Sequence, residues 1–468
     1  MFKTRCMTLI KSISGIRGTI GGRPGDALTP VDVVRYAAAY GSFIKARKGK
    51  KIVIGRDARL SGEMVNVLVT ATLSGLGLDV VDLGLSTTPT VEMAVVLERA
   101  QGGIILTASH NPIQWNALKL LNAKGEFITA ADGAEVLDLA AREAFDFAEV
   151  TRLGTVTRRD GYLEKHIALV MRHPLVDVRA IRKARLKVAV DAVNSSGGIA
   201  VPMLLEKLGV KTTKLFCEPT GKFPHNPEPL PEHLREIRKV IKSKKLDLGI
   251  VVDPDVDRLA FVMENGVPFG EEYTLVAVAQ YVLSRKKGNT VSNLSSTRAL
   301  RDVTEAMGGR YFAAAVGEVN VVTAMREHKA VIGGEGNGGI IVPDFHYGRD
   351  ALIGIGLFLT HLAKSGKSMT ALRASLPSYF ISKNKIELTA NTPVDAILAS
   401  VQAKYAHERI NTVDGVKIDF ESAREWVHLR KSNTEPIIRI YAEAPTEKRA
   451  DALAKQLMAD IAGFAGKN

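Results

Sequence analysis

Three stretches of this chain repeat one grammar, an apolar strand, a helical stretch, a glycine-marked stop and a second strand, and that repetition restricts the fold more than any single motif. The first runs KIVIGRD (51–57), helical 62–76, LDVVDLG (78–84); the second LKVAVD (186–191), helical 198–208, VKTTKLF (210–216). The third runs NTVSNLSS (289–296), helical 298–307, GRYFAAAVG (309–317). Each is followed by a further helical segment and one more apolar strand: GGIIL (102–106), DLGIVV (247–252) and AVIGG (330–334). Strands alternating with helices predict α/β layers. With 468 residues, at about 100–200 per domain, three or four domains are expected.

The last hundred residues change pattern. KIEL (385–388), a helical run 393–405, a hairpin signal at Asp414-Gly415, strands at WVHLR (426–430) and IIRIYAEA (437–444), and a helix 446–464 predict a small α+β domain with an antiparallel sheet. The fold class expected is three similar mixed α/β domains plus this C-terminal domain, with an active site in a central cleft. The boundaries expected are 1–155, 156–260, 261–377 and 378–468.

No apolar run approaches the roughly 20 residues that span a bilayer, and the run 351–360 suits a buried helix. Two cysteines, Cys6 and Cys217, make no disulfide framework, so a cytoplasmic protein without a membrane partner is expected. The net charge of +13 is spread along the chain in short groups such as RKARLK (182–187). That distribution fits anionic small substrates better than nucleic acid, and no nucleic-acid partner is expected.

Four polar loops carry the chemistry, and the first three follow the third strand of each repeat, the ligand-binding end of an open α/β sheet. In DPDVDR (253–258), Asp253, Asp255 and Asp257 would repel one another unless a cation lay between them, and hard oxygen ligands suit Mg²⁺. Arg258 adds a fork for phosphate oxygens. Alone, the loop could also be a solvated acidic turn. RKSNTEP (430–436) offers Arg430, Ser432, Asn433 and Thr434, with Arg439 beyond, as a phosphate anchor; Ser-Asn and Pro also suit a plain β-turn. GEGNGG (334–339) sets Glu335 and Asn337 among glycines, where they could bond sugar hydroxyls. TASHNP (107–112) supplies Ser109 and His110 but no G-x-S-x-G elbow, and Lys119 could move a proton if its pKa were lowered. The chain has no G-x-x-x-x-G-K-[ST] loop, so the phosphoryl group would come from the enzyme or the substrate rather than a nucleotide.

These loops, in this order, resemble the α-D-phosphohexomutase superfamily over essentially the whole chain, and SGIRGTIGG (14–22) is similar to its opening. The resemblance implies a phosphoserine at Ser109, one Mg²⁺ held by Ser109, Asp253, Asp255 and Asp257, and catalytic roles for Arg17, His110 and Lys119, the last as general acid/base. It implies that Arg258, Glu335, Asn337, Arg430, Ser432, Asn433, Thr434 and Arg439 bind a phosphorylated hexose or hexosamine. NALK matches a family motif at Asn116 and Lys119, and Asp350 in HYGRDA is expected to cap a helix. Two departures stand out: Pro254 and Val256 replace usual glycines, and the sugar loop ends Asn337-Gly338-Gly339 rather than Ser-Gly-His. QWNALKLLN (114–122) with GGEGNGG looks most like the phosphoglucosamine mutase branch of some bacteria, with archaeal relatives.

The activity implied is interconversion of a hexose 6-phosphate and 1-phosphate through a 1,6-bisphosphate. Glucosamine phosphate is the expected sugar, with glucose or mannose phosphate as the alternative. A Mg²⁺-dependent phosphatase and a non-catalytic sugar-phosphate sensor are the other classes. The fourth domain is expected to rotate about a hinge near 378–385. The oligomeric state is open, a homodimer included.

Overall fold

The computed structural model describes residues 7–12, 15–387, 394–431 and 437–465. It divides into two compact units, Met1–Thr274 with Asn337–Thr370, and Leu275–Gly336 with Ala371–Asn468.

The first unit holds two sheets. One has seven strands, in the order Ile10–Ser12, Gly15–Thr19, Trp115–Leu121, Gly102–Leu106, Lys51–Arg56, Asp79–Leu85 and Val156–Arg158. Lys51–Arg56 lies between the second and third strands of the repeat, parallel to both. The strand Gly102–Leu106 is buried at every position, as expected where helices cover both faces of a parallel sheet. The second sheet has Lys187–Asp191 between Lys211–Leu215 and Leu248–Val252, both parallel to it. Leu259–Met263 completes it, antiparallel to Leu248–Val252. Helix Ala351–Ser365 is apolar and buried along most of its length, and runs beyond the expected 351–360. Asp350 caps it, accepting from the N–H groups of Leu352 and Ile353, the bland role expected.

The second unit repeats the parallel arrangement, with Asn289–Asn293 between Tyr311–Ala314 and Ala330–Glu335. Beside it lies a five-stranded antiparallel sheet, in the order Phe380–Glu387, Ile437–Ala444, Glu425–Lys431, Val416–Phe420 and Arg409–Asn411. Its core joins Ile418, Val427, Leu429 and Ile440 to Ile397 and Val401 of helix Val394–Lys404 and to Leu453 and Leu457 of helix Glu447–Ala465. Three mixed α/β layers and an antiparallel C-terminal domain are therefore the architecture.

The expected hinge, 378–385, begins in the loop residues 378–379 and runs into a strand. Most of 378–385 lies in the strand Phe380–Glu387, which pairs with Ile437–Ala444 from end to end. A continuous ladder is stiff. The antiparallel domain is also bound to the preceding sheet: Glu421 pairs with Arg298 (3.0 Å) and Arg301 (2.6 Å), and Lys417 Nζ donates to the Leu294 carbonyl at 2.8 Å. Ser295 Oγ lies 2.9 Å from His428 Nδ1. Among the described residues no helix is long and apolar enough to cross a membrane.

Candidate active site

Ser109 and the three aspartates, from loops that follow third strands of two different repeats, come together in the first unit. Ser109 Oγ donates to Asp253 Oδ2 at 2.7 Å. Each of Asp253, Asp255 and Asp257 offers an oxygen within 4.8 Å of the others, and all three residues are fully buried.

Every oxygen of the triad can be accounted for. Asp253 Oδ1 accepts from the N–H groups of Asp257 and Arg258, at 3.2 and 3.1 Å. Asp255 Oδ2 accepts from Thr88 Oγ1 at 2.6 Å and Lys119 Nζ at 2.8 Å. Asp257 Oδ2 accepts from Arg349 Nη2 at 2.7 Å and, more distantly, from Lys119 Nζ at 3.4 Å. Asp255 Oδ1 and Asp257 Oδ1 are buried without a hydrogen-bond partner. A buried carboxylate oxygen left bare is costly. Two of them beside a third carboxylate and a serine oxygen make a donor set suited to a hard divalent cation such as Mg²⁺.

The charges set the titration. Burial, and then the charges of Asp255 and Asp257, push Asp253 well above the usual carboxylate range. Burial would push Asp257 up as well, but Arg349 and then Lys119 outweigh it and hold its carboxyl well below that range. For Lys119 burial works to lower the pKa, yet Asp255 and Asp257 more than reverse it and the pKa is raised. Lys119 was expected to move a proton if its pKa were lowered; here the two carboxylates raise it instead. His110 lies with Nδ1 3.4 Å from Ser109 Oγ. Burial, and then the charge of Arg258, push it well below the ordinary imidazole value, so it is neutral. Arg17 is lowered by burial and then by Arg258. Arg17 and Arg258, both acting on Ser109's neighbour His110, make an electropositive wall suited to a phosphoryl group.

The loop geometry is held from behind. Ser109 sits at φ 47° and Val256 at φ 64°. Left-handed backbone costs a β-branched residue on the order of 1–2 kcal/mol, so Val256 is held under strain. Its carbonyl accepts from Ala351 N at 3.2 Å and its N–H donates to the Asp253 carbonyl at the same distance. The serine loop is moulded on Arg59, whose guanidinium donates to the carbonyls of Ser109, Asn111, Pro112 and Trp115 between 2.5 and 2.9 Å. Asp57, buried beside Arg59 at 3.1 Å, holds that guanidinium in place. Asn116 is structural, with its amide on Ser61 Oγ at 2.9 Å.

The remaining expected residues are placed as follows. Asn337, half-buried in the first unit, accepts from Gly339 N at 3.2 Å. Arg258 pairs with Glu228 at 3.1 Å. In the second unit, Glu335 is buried and accepts from Asn293 Nδ2 (2.9 Å) and Gly317 N (3.1 Å). Arg430 and Arg439 are direct cross-strand partners, and Lys385 is opposite Arg439 on the other side. Like charges placed opposite one another destabilise a sheet, and Asp414, 2.7 Å from Arg430, offsets part of the row's charge. Ser432, Asn433 and Thr434 lie outside the described residues.

Sequence reasoning missed Arg59, Thr88, Arg349 and Lys385. Arg59 had a signal, since the run KIVIGRDAR puts Asp57 and Arg59 at the ligand-binding end of a central strand. The others act only through tertiary proximity.

Comparison with known proteins agrees with this geometry. Residues 9–147, 160–266 and 270–380 match the phosphoglucomutase/phosphomannomutase alpha/beta/alpha domains I, II and III, and residues 385–460 match that family's C-terminal domain. A phosphoglucomutase/phosphomannomutase of Thermococcus kodakarensis is 35% identical, over 92% of this chain and 95% of its own. A phosphoglucosamine/phosphogalactosamine mutase of Sulfurisphaera tokodaii is 32% identical, over 96% and 98%. The crystal structure of a phosphoglucomutase/phosphomannomutase family protein from Burkholderia thailandensis superposes with TM-score 0.84 at 25% identity, covering 99% of this chain and 98% of that one. The chain belongs to the phosphoglucomutase/phosphomannomutase family of the α-D-phosphohexomutase superfamily. It is a mutase, an isomerase that moves a phosphoryl group within a phosphohexose.

Proposed function

We propose that this mutase interconverts glucosamine 6-phosphate and glucosamine 1-phosphate, through a phosphorylated Ser109 and a glucosamine 1,6-bisphosphate. The observation that carries the phosphoserine step is the placement of Ser109 Oγ 2.7 Å from Asp253 within the buried triad. Ser109 with Asp253, Asp255 and Asp257 would hold the Mg²⁺. Bound there, the ion would neutralise charge developing on the phosphoryl oxygens.

The chain's own groups then divide the work. The P–O bond to Ser109 breaks as a sugar hydroxyl oxygen forms the new bond to phosphorus, and the proton of that hydroxyl must end on Ser109 Oγ. Lys119 is positively charged in this environment. It gives its proton to the departing serine oxygen and is reprotonated at the expense of the attacking hydroxyl. Arg17 and Arg258 stabilise the phosphoryl oxygens, and His110 offers a neutral ring beside Ser109. Arg430 and Arg439, with Ser432, Asn433 and Thr434, anchor the phosphate not being transferred. Glu335 and Asn337 read sugar hydroxyls. The bisphosphate turns over, the second phosphate returns to Ser109, and no free phosphate is released. A phosphatase would have no use for a second phosphate anchor.

The 35% identity to a phosphoglucomutase/phosphomannomutase supports a second substrate reading, glucose or mannose phosphate with the same chemistry. Turnover of glucosamine, glucose and mannose 1-phosphates, with Mg²⁺ and a trace of the matching bisphosphate, separates the two. A kcat/KM highest for glucosamine phosphate is expected. A higher value for glucose or mannose phosphate would overturn the sugar assignment and leave the mechanism.

A further inference from the structure

Arg349 was not among the residues the sequence pointed to, yet it is one of the most constrained cations in the first unit. Its side chain is 10% exposed and its Nη2 lies 2.7 Å from Asp257 Oδ2. Its backbone is fixed on the C-terminal side. Asp350 N donates to the Ile340 carbonyl at 2.9 Å, and Ala351 N donates to Val256 of the acidic loop. The Asp350 carboxylate is gripped by His166 at 2.9 Å and His346 at 3.1 Å. The helix start and the acidic loop are therefore one braced piece.

The path of the side chain is equally defined. A Cβ at Gly339 would stand 2.3 Å from Arg349 Cδ and 3.1 Å from its Cγ. Such approaches are far inside van der Waals contact. Gly339 has no positive φ that would call for glycine. The room it leaves is for Arg349, and this gives the glycine at 339 a physical reason.

Two cations share the second and third aspartates. Lys119 is nearer Asp255 (2.8 Å) than Asp257 (3.4 Å), while Arg349 occupies the Asp257 oxygen that Lys119 would otherwise take. The same contact leaves Asp257 Oδ1 bare alongside Asp255 Oδ1.

We propose that Arg349, passing over Gly339, is a positioning residue: it occupies Asp257 Oδ2 so that Lys119 stays on Asp255 and Asp257 Oδ1 faces the cation position. This rests on the mutase reading of Ser109, Lys119 and the triad. Without Arg349, Asp257 draws Lys119 toward itself, and the proton carrier moves away from its working place. Misplacing a catalytic group by about 1 Å costs on the order of a hundredfold in rate.

The test is a double-mutant cycle between positions 339 and 349 with two readouts. In steady-state mutase assays, Arg349→Gln is expected to lower kcat about tenfold or more with KM for the sugar phosphate within about twofold. Arg349→Lys is expected to recover part of that loss. In metal-free protein, Gly339→Ala is expected to lower the unfolding midpoint in the parent chain and to add nothing in an Arg349→Ala background, where Cγ and Cδ are gone. A kcat unchanged in Arg349→Gln, or additive effects of Gly339→Ala and Arg349→Ala on the midpoint, would overturn the proposal. Failure of the mutase reading shows separately, as absence of turnover in the parent chain. The metal-free cycle reports on the Arg349–Gly339 contact whatever the reaction is.

Discussion

The acidic triad of the first unit and the basic row of the second are both clusters of like charge, but they are built in opposite ways. Asp253, Asp255 and Asp257 are fully buried and answered by Lys119, Arg349 and backbone N–H groups. Lys385, Arg439 and Arg430 stand in register across three strands, with Lys385 well exposed and Arg430 paired to Asp414 at 2.7 Å. Burial magnifies every charge and fixes its geometry. At the Lys385 end of the row, solvent screens the charge and leaves its geometry loose. The proposed reaction, whose intermediate would present either of its phosphates, calls for both: rigidity where the bond would break and tolerance where the other phosphate would be held.

The largest effect should come from the buried cluster. Asp255→Asn leaves Lys119 without its nearest carboxylate and removes a donor to the cation. It is expected to cut kcat by roughly a hundredfold or more, and chelation of divalent metal should silence the parent enzyme, with Mg²⁺ restoring turnover. Steady-state assays across a Mg²⁺ titration check both. An Asp255→Asn enzyme within about threefold of the parent kcat would remove the distinction drawn between the clusters.

The anchor should answer in KM rather than kcat. A charge-assisted contact to phosphate contributes about 2 kcal/mol, so Arg430→Ala should raise KM roughly thirtyfold. A loss confined to kcat would show that the row belongs to the chemical step. Lys385→Ala, at the exposed end of the row, is expected to raise KM only about two- to threefold, and less so as salt is added. A salt-independent effect would mean that Lys385 does not act through its charge.

A pH prediction separates the seam of the second unit from both sites. Burial, offset in part by the Asp414 carbonyl, lowers His428 from 6.5 to about 4. Its stabilising contribution is therefore present above pH 6.5 and lost as pH falls toward 4. Glu443 is raised from 4.5 to about 7 by burial, against hydrogen bonds from Thr297 and Arg298. Its contribution is present below pH 4.5 and lost as pH rises through 7. The two slopes oppose each other over nearly the same window. Measured against the parent chain, stability should rise more steeply with pH in Glu443→Gln and less steeply in His428→Gln. Denaturant unfolding from pH 4 to 7.5 checks this, and equal slopes in the two variants would contradict it.

How much of this could be read from the chain follows from the same contrast. The strand repeats and the polar loops were legible, because apolar periodicity and loop position are local properties: LKVAVD and DLGIVV form the adjacent strands Lys187–Asp191 and Leu248–Val252. The triad was legible because its three aspartates lie in one loop. Arg349 was not, since its partner Asp257 is 92 positions away. The sign of the Lys119 shift was hidden for the same reason, because only the fold sets its ammonium between Asp255 and Asp257. The strand's start was missed because KIEL marks only the end of the longer strand Phe380–Glu387, no position of which is fully buried.

The central claim is that Ser109 carries the phosphoryl group. The most direct test is to incubate the protein with Mg²⁺ and hexose 1,6-bisphosphate labelled in both phosphates, locate the label by peptide mass spectrometry, and then add unlabelled hexose 1-phosphate. Label on Ser109 that leaves for the sugar pool at the rate of turnover, and no label in an inactive Ser109→Ala protein, is the predicted result. Turnover in Ser109→Ala at the parent rate, or label that stays on the serine while the sugar turns over, would contradict it.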